Sequence, residues 1–229
     1  MSWSLEVSGR RFCFSSATLD PVTTQDDPKY PSSTYRDDRR AAAIAGHEGD
    51  QTTARQLLES ADDRVRATAL GALERSGALR PSDLQAALAD GSARVRRRAV
   101  TIAAGYPDVE ITNLLDDPDH SVAEVAAWSC GERLEAPNVA TVVTSLITMT
   151  TEHPDPLCRE AAVASLGALG DDRAVDAILS ALTDIPQIRR RAALALAPFD
   201  DPQVTAALEA ALDDKDWQVR QAAEDLLGR

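Results

Sequence analysis

The chain has 229 residues, 44% of them hydrophobic but only 4% aromatic, so its core is expected to rest on Ala, Leu and Val at close helix contacts. With 24 Lys and Arg against 37 Asp and Glu it carries a net charge of −13, which opposes long-range attraction to nucleic acid or an anionic membrane. No stretch reaches the roughly 18–20 apolar residues of a membrane span. The opening MSWSLEVSGRRFCFSS shows no evident signal peptide, and the expected location is cytoplasmic.

Residues 1–36 differ from the rest. They hold five of the nine aromatics (Trp3, Phe12, Phe14, Tyr30, Tyr35) and balance four acids with four bases. WSLEV and RFCF alternate around Ser8-Gly9-Arg10 and predict a short β-hairpin, followed by an extended linker over DPVTTQDDPKYPSS. This non-repeat arm either covers the exposed end of the repeat array or is a disordered tail.

From residue 37 to 229 the chain repeats. Pairs of the Val-Arg type begin at 38, 65, 95, 122, 158, 188 and 219, a step averaging about 30. Four places on stand Ala42, Ala69, Ala99, Ala126, Ala162, Ala192 and Ala223, alanine every time. Eight places on every residue is apolar or small, so positions 0, 4, 7 and 8 form one helix face that a neighbouring helix approaches closely. Second amphipathic helices are predicted in TTARQLLES, PSDLQAALAD, DVEITNLLDD, PNVATVVTSLITMTT, DRAVDAILSALTD and DPQVTAALEAALDD. The fourth is rich in β-branched residues, yet its apolar spacing and the repeat register predict helix. The prediction is an all-α stack of helical hairpins.

HPDPLCREAAVASLGALGDDRAVDAILSAL, 153–182, and DDKDWQVRQAAEDLLG, 213–228, resemble the short HEAT-like repeats first noted in phycobilisome lyase subunits. The resemblance covers roughly 37–229 and implies a right-handed α-solenoid of about six to seven repeats. It is specific for fold and almost silent on activity, since the family includes scaffolds, regulators and a few enzymes.

Each Val-Arg pair comes after an aspartate in the preceding turn, suited to cap the helix and to pair with an Arg of its own or the next repeat. The resemblance implies a ladder of such pairs, carried here by Arg39, Arg66, Arg96, Arg159, Arg189 and Arg220. Ala123 departs from the pattern, so a rung there is missing or replaced. The remaining arginines of the triplets, Arg97, Arg98, Arg190 and Arg191, fan around their helices at 100° per residue and are not expected to form one grip. Glu124 and Glu160 interrupt their column, which argues against a phosphate track. These arginines suit a protein partner as separate basic spots. Trp128 stands in a mixed column, suited either to partner contact or to filling the space beside Ala123. Trp217 is expected to pack structurally.

Enzymatic readings of the family are weaker. The lone His47-Glu48, expected in a loop at a helix end, cannot supply the several His-Glu pairs of the di-iron hydroxylase. A glycosylase-like role needs a basic, aromatic concave face, and no chromophore-specific motif marks a bilin lyase. Cys13, Cys130 and Cys158 lie far apart and suit neither a disulfide framework nor a zinc site. No metal or cofactor is implied. The expected function is a non-catalytic scaffold binding a protein on its inner, concave helix layer, with a lyase-like or glycosylase-like enzyme as the alternative. Acid doublets Asp116-Asp117, Asp171-Asp172 and Asp213-Asp214 are expected to make the rims acidic and favour a basic protein, with no nucleic acid or membrane as partner.

Overall fold

Ala42, Ala69, Ala99, Ala126, Ala162, Ala192 and Ala223 are all 0% exposed. The seven helices centred on them pack in series: α1 (Ser33–Glu48), α3 (Asp63–Arg75), α5 (Ala93–Ala103), α6 (His120–Gly131), α8 (Pro156–Leu169), α10 (Pro186–Ala195) and α12 (Trp217–Leu227). With only a methyl group at each centre, neighbouring backbones come close enough for side-chain hydroxyls to cross the seam. Ser129 Oγ donates to the Val100 carbonyl at 3.0 Å, and Ser165 Oγ to the Ala127 carbonyl at 2.8 Å.

A second layer covers the other side of the first. It is made of α2 (Gln51–Leu57), α4 (Pro81–Leu88), α7 (Val139–Glu152), α9 (Val175–Ala181) and α11 (Pro202–Ala211), each packed on the first-layer helices beside it. The computed structural model describes residues 6–7, 10–11 and 33–228. These twelve helices, in two layers and in repeating order, make an all-α solenoid. Glu6–Val7 and Arg10–Arg11 form a short antiparallel pair, with Glu6 opposite Arg11 and Val7 opposite Arg10. The linker expected over 20–33 lies outside the described residues up to Ser33, where α1 begins, and Cys13 lies outside them as well.

The β-branched segment is helix, as its apolar spacing requires: Val142, Val143 and Leu146 are buried while its threonines return hydroxyl bonds to carbonyls four residues back. Two expectations need correcting. DVEITNLLDD forms only a 3-10 turn over Thr112–Asp116, ended by Asp117, which is extended ahead of Pro118. The loop it leaves is closed by Arg133, a residue the sequence pattern did not single out, which donates to the carbonyls of Pro107 at 2.6 Å and of Val109. His47 and Glu48 are the last two residues of α1 and not a loop.

Candidate functional site

The arginines fall into two populations. Those of the first are spent on the fold. Arg66, Arg96, Arg159 and Arg189 each make a two-pronged ion pair, Nε and Nη2 onto both oxygens of Asp90, Asp117, Asp184 and Asp214 at 2.7–3.0 Å. Each acid lies in the turn of the following repeat, so the expected pairing of an aspartate with its own or the next arginine is corrected: it serves the arginine before it. The third nitrogen, Nη1, donates to carbonyls of the arginine's own turn, Ser60, Asp90, His153 and Asp184, at 2.9 Å. One guanidinium thus ties two turns together. Arg220 holds the carbonyls of Asp214 and Lys215 in the same way.

A separate aspartate two residues further on caps the helix. Asp62, Asp119, Asp155 and Asp216 accept N–H bonds at the starts of α3, α6, α8 and α12. The arginine hydrogen bonds hold the Asp90, Asp184 and Asp214 carboxyls below the ordinary range. Burial pushes Asp117 up, but the bonds from Arg96 and the Asp119 N–H outweigh it, and its net shift is also downward.

Two positions lack a rung, for a matching reason on each side. Ser60 stands where the aspartate for Arg39 would be, and Arg39 makes no ion pair among the described residues. At the joint of α6 and α8 both members are gone: Ala123 replaces the arginine and His153 the acid. There the His120 and His153 rings meet edge to face with centroids 5.1 Å apart, and His120 Nδ1 lies 3.3 Å from Asp155. Cys158 Sγ donates to the His120 carbonyl across the same joint. Burial pushes the Cys130 thiol up to about 11 and the Cys158 thiol to about 12, which leaves both inert at neutral pH.

The second population lines an open groove of about 790 Å³ on the exposed face of the first layer. Arg39 from α1, Arg64 and Arg75 from α3, and Arg94, Arg97 and Arg98 from α5 line it, against Asp63 and Asp119. The triplet 96–98 does fan apart, but two of its members join arginines from other positions. Arg96 turns to the ladder, but Arg94, Arg97 and Arg98 share one face at spacings of three and four and meet Arg64 of the preceding helix. Arg98 reaches inward because Gly71 is bare; a Cβ there would collide with its guanidinium.

Arg190 and Arg191 lie elsewhere. Both are exposed, and Arg191 is 3.3 Å from Glu160. Trp128 is 46% exposed and comes seven positions after Ser121, a groove residue, on α6, so it stands on the same helix face beyond the groove's end. Trp217, expected to pack, is 65% exposed at the start of α12. Each acid doublet is divided: Asp117 and Asp214 are in rungs and Asp171 caps the turn before α9 and pairs with Arg173 at 2.7 Å, while Asp116, Asp172 and Asp213 are exposed. Among the described residues no cluster of three His, Cys, Asp or Glu is placed to hold a metal ion, and no helix is long and apolar enough to cross a membrane.

A two-layer stack with guanidinium rungs between successive turns defines an α-solenoid repeat protein. The model for HEAT repeats matches residues 107–186 and 143–228, more than half of the chain, and the chain belongs to the HEAT-repeat family. Among solved structures it is similar to YibA of E. coli, with a TM-score of 0.60 at 18% identity over 88% of this chain and 76% of that one. It is also similar to the complex of CpcE and CpcF of phycocyanin lyase from Nostoc, with a TM-score of 0.55 at 22% identity over 93% of this chain and 81% of that one. At these identities the likeness is one of fold. No curated protein sequence matches significantly.

Proposed function

We propose that the protein is a non-catalytic adaptor that binds another protein on the exposed face of its first helix layer. The carrying observation is the division of its arginines. Arg66, Arg96, Arg159 and Arg189 are saturated by bidentate pairs, whereas Arg64, Arg75, Arg97 and Arg98 face the open groove and have no ion pair among the described residues. Half-exposed Trp128 stands on the α6 face that carries groove residue Ser121, and tryptophan and arginine dominate the energetics of protein interfaces. Such a surface recognises by shape and charge over a large area and needs no covalent step.

The test is affinity capture from the native host, followed by titration of the purified captured protein. Trp128→Ala is expected to weaken that binding by about tenfold or more with the melting temperature unchanged. A partner whose affinity ignores both Trp128→Ala and Arg97→Glu, or reproducible turnover of a substrate by the purified chain, overturns the reading.

A further inference from the structure

Resting on that reading, we infer that the groove across α1, α3, α5 and the start of α6 receives an acidic, extended segment of the partner protein, rich in Asp and Glu. This reverses the sign of partner that the overall charge suggests. Many of the acids are occupied in rungs and caps, while Arg64, Arg75, Arg97 and Arg98 of the groove have no ion pair among the described residues. Among the described residues six guanidinium groups face two carboxylates there. Of those two, Asp63 already accepts from Ser92 Oγ at 2.7 Å and lies 3.5 Å from Arg94, and Asp119 caps α6 through Ser121. Glu74 lies beside Arg98 in an adjoining depression.

The start of α5 adds to the field. Its Ser92 makes no side-chain cap, so the first N–H groups of an eleven-residue helix meet the groove without an acceptor from that side chain. Guanidinium forks match carboxylates two-pronged, as the ladder of this same molecule shows.

Shape selects a polypeptide. Four helices side by side at about 8–10 Å present a track of roughly 25–30 Å, the length of about eight extended residues. Small residues, Ala67, Thr68, Gly71, Ala93 and Thr101, let a backbone lie between the arginines. A nucleic acid fits less well. Among the described residues no aromatic side chain lines the groove for bases to stack on, and beyond α5 the first layer presents Glu124 and Glu160, which would repel a continuing phosphate chain.

The test is fluorescence anisotropy of a labelled glutamate-rich peptide of about eight residues titrated with the full chain. A serine-alanine peptide and a single-stranded oligonucleotide form the other arms. The acidic peptide should bind saturably and more weakly as salt rises towards about 0.15 M. The Arg64→Glu/Arg97→Glu double variant should lose about tenfold or more, whereas Arg80→Glu on the second layer should not. If the double variant melts lower than the native chain, Arg64→Gln/Arg97→Gln is read in its place. Absence of saturable binding, an unaffected double variant, or tighter binding of the oligonucleotide overturns the inference. A captured partner that still depends on Trp128 but ignores the double variant would sink the acidic groove and leave the adaptor standing.

Discussion

Arg96 and Arg97 are neighbours in sequence with opposite fates, and the difference lies in what each side chain meets. Arg96 finds Asp117, whose side chain is 2% exposed, and holds it at 2.7 Å with two nitrogens. Removing that guanidinium leaves a buried carboxylate without its cation, so Arg96→Ala should cost about 3 kcal/mol in urea unfolding. Arg66→Ala exposes the less buried Asp90 and should cost about half as much. Equal losses would mean that burial of the acid does not set the strength of a rung. Of the six ladder arginines that the resemblance implied, Arg66, Arg96, Arg159 and Arg189 form rungs, but their acids were misassigned. An aspartate close in sequence to an arginine looked like its partner, while the true partner stands 21–25 residues ahead.

At the scale of helices, close approach is set by residues with little or no side chain. A Cβ placed on Gly167 of α8 would lie 2.7 Å from the Ala195 Cα and 2.9 Å from its carbonyl oxygen, both backbone atoms of α10. Alanine gains about 1 kcal/mol over glycine in a helix interior, but forcing two backbones apart costs about 1–3 kcal/mol. Gly167→Ala should therefore lower the melting temperature, whereas Gly91→Ala, with open space around its Cβ, should not. A melting temperature raised by the first substitution would show that the α8 and α10 seam yields freely. The helices themselves were legible because the alanine column fixes a register that overrides local propensity, as in α7. The failure at 112–116 has the same origin: the register demanded a helix where the backbone makes only a 3-10 turn, stopped by extended Asp117 ahead of Pro118.

For the whole molecule, composition concealed the feature that matters most. A net charge of −13 describes an average, and it hid six arginines around one groove because many of the acids are tied into turns. Neither a single column nor a triplet reveals that groove; it arises where columns of adjacent helices are laid side by side. The same tied acids set the response to pH. Asp90, Asp117, Asp184 and Asp214 titrate below the unfolded value of 3.8, so their contribution is fully present above about pH 4 and is lost as pH falls through their lower folded values. Unfolding free energy should drop steeply below about pH 4, and less steeply in an Asp90→Asn/Asp184→Asn/Asp214→Asn variant. Parallel acid profiles for the two proteins would show that the rungs do not govern acid stability.

Each guanidinium grips its own turn behind and the acid of the next turn ahead, so the interchangeable module runs from just past one acid to the next acid along the chain. Splicing out 185–214 in that phase keeps Arg159 on Asp184 and brings α12 up behind it with a usable carbonyl for Arg220. The joint between Ala123 and His153 resists such exchange. Set against any rung-bearing turn, it would strand a carboxylate beside a methyl group or point a guanidinium at an imidazole, which makes that seam a fixed address in the array.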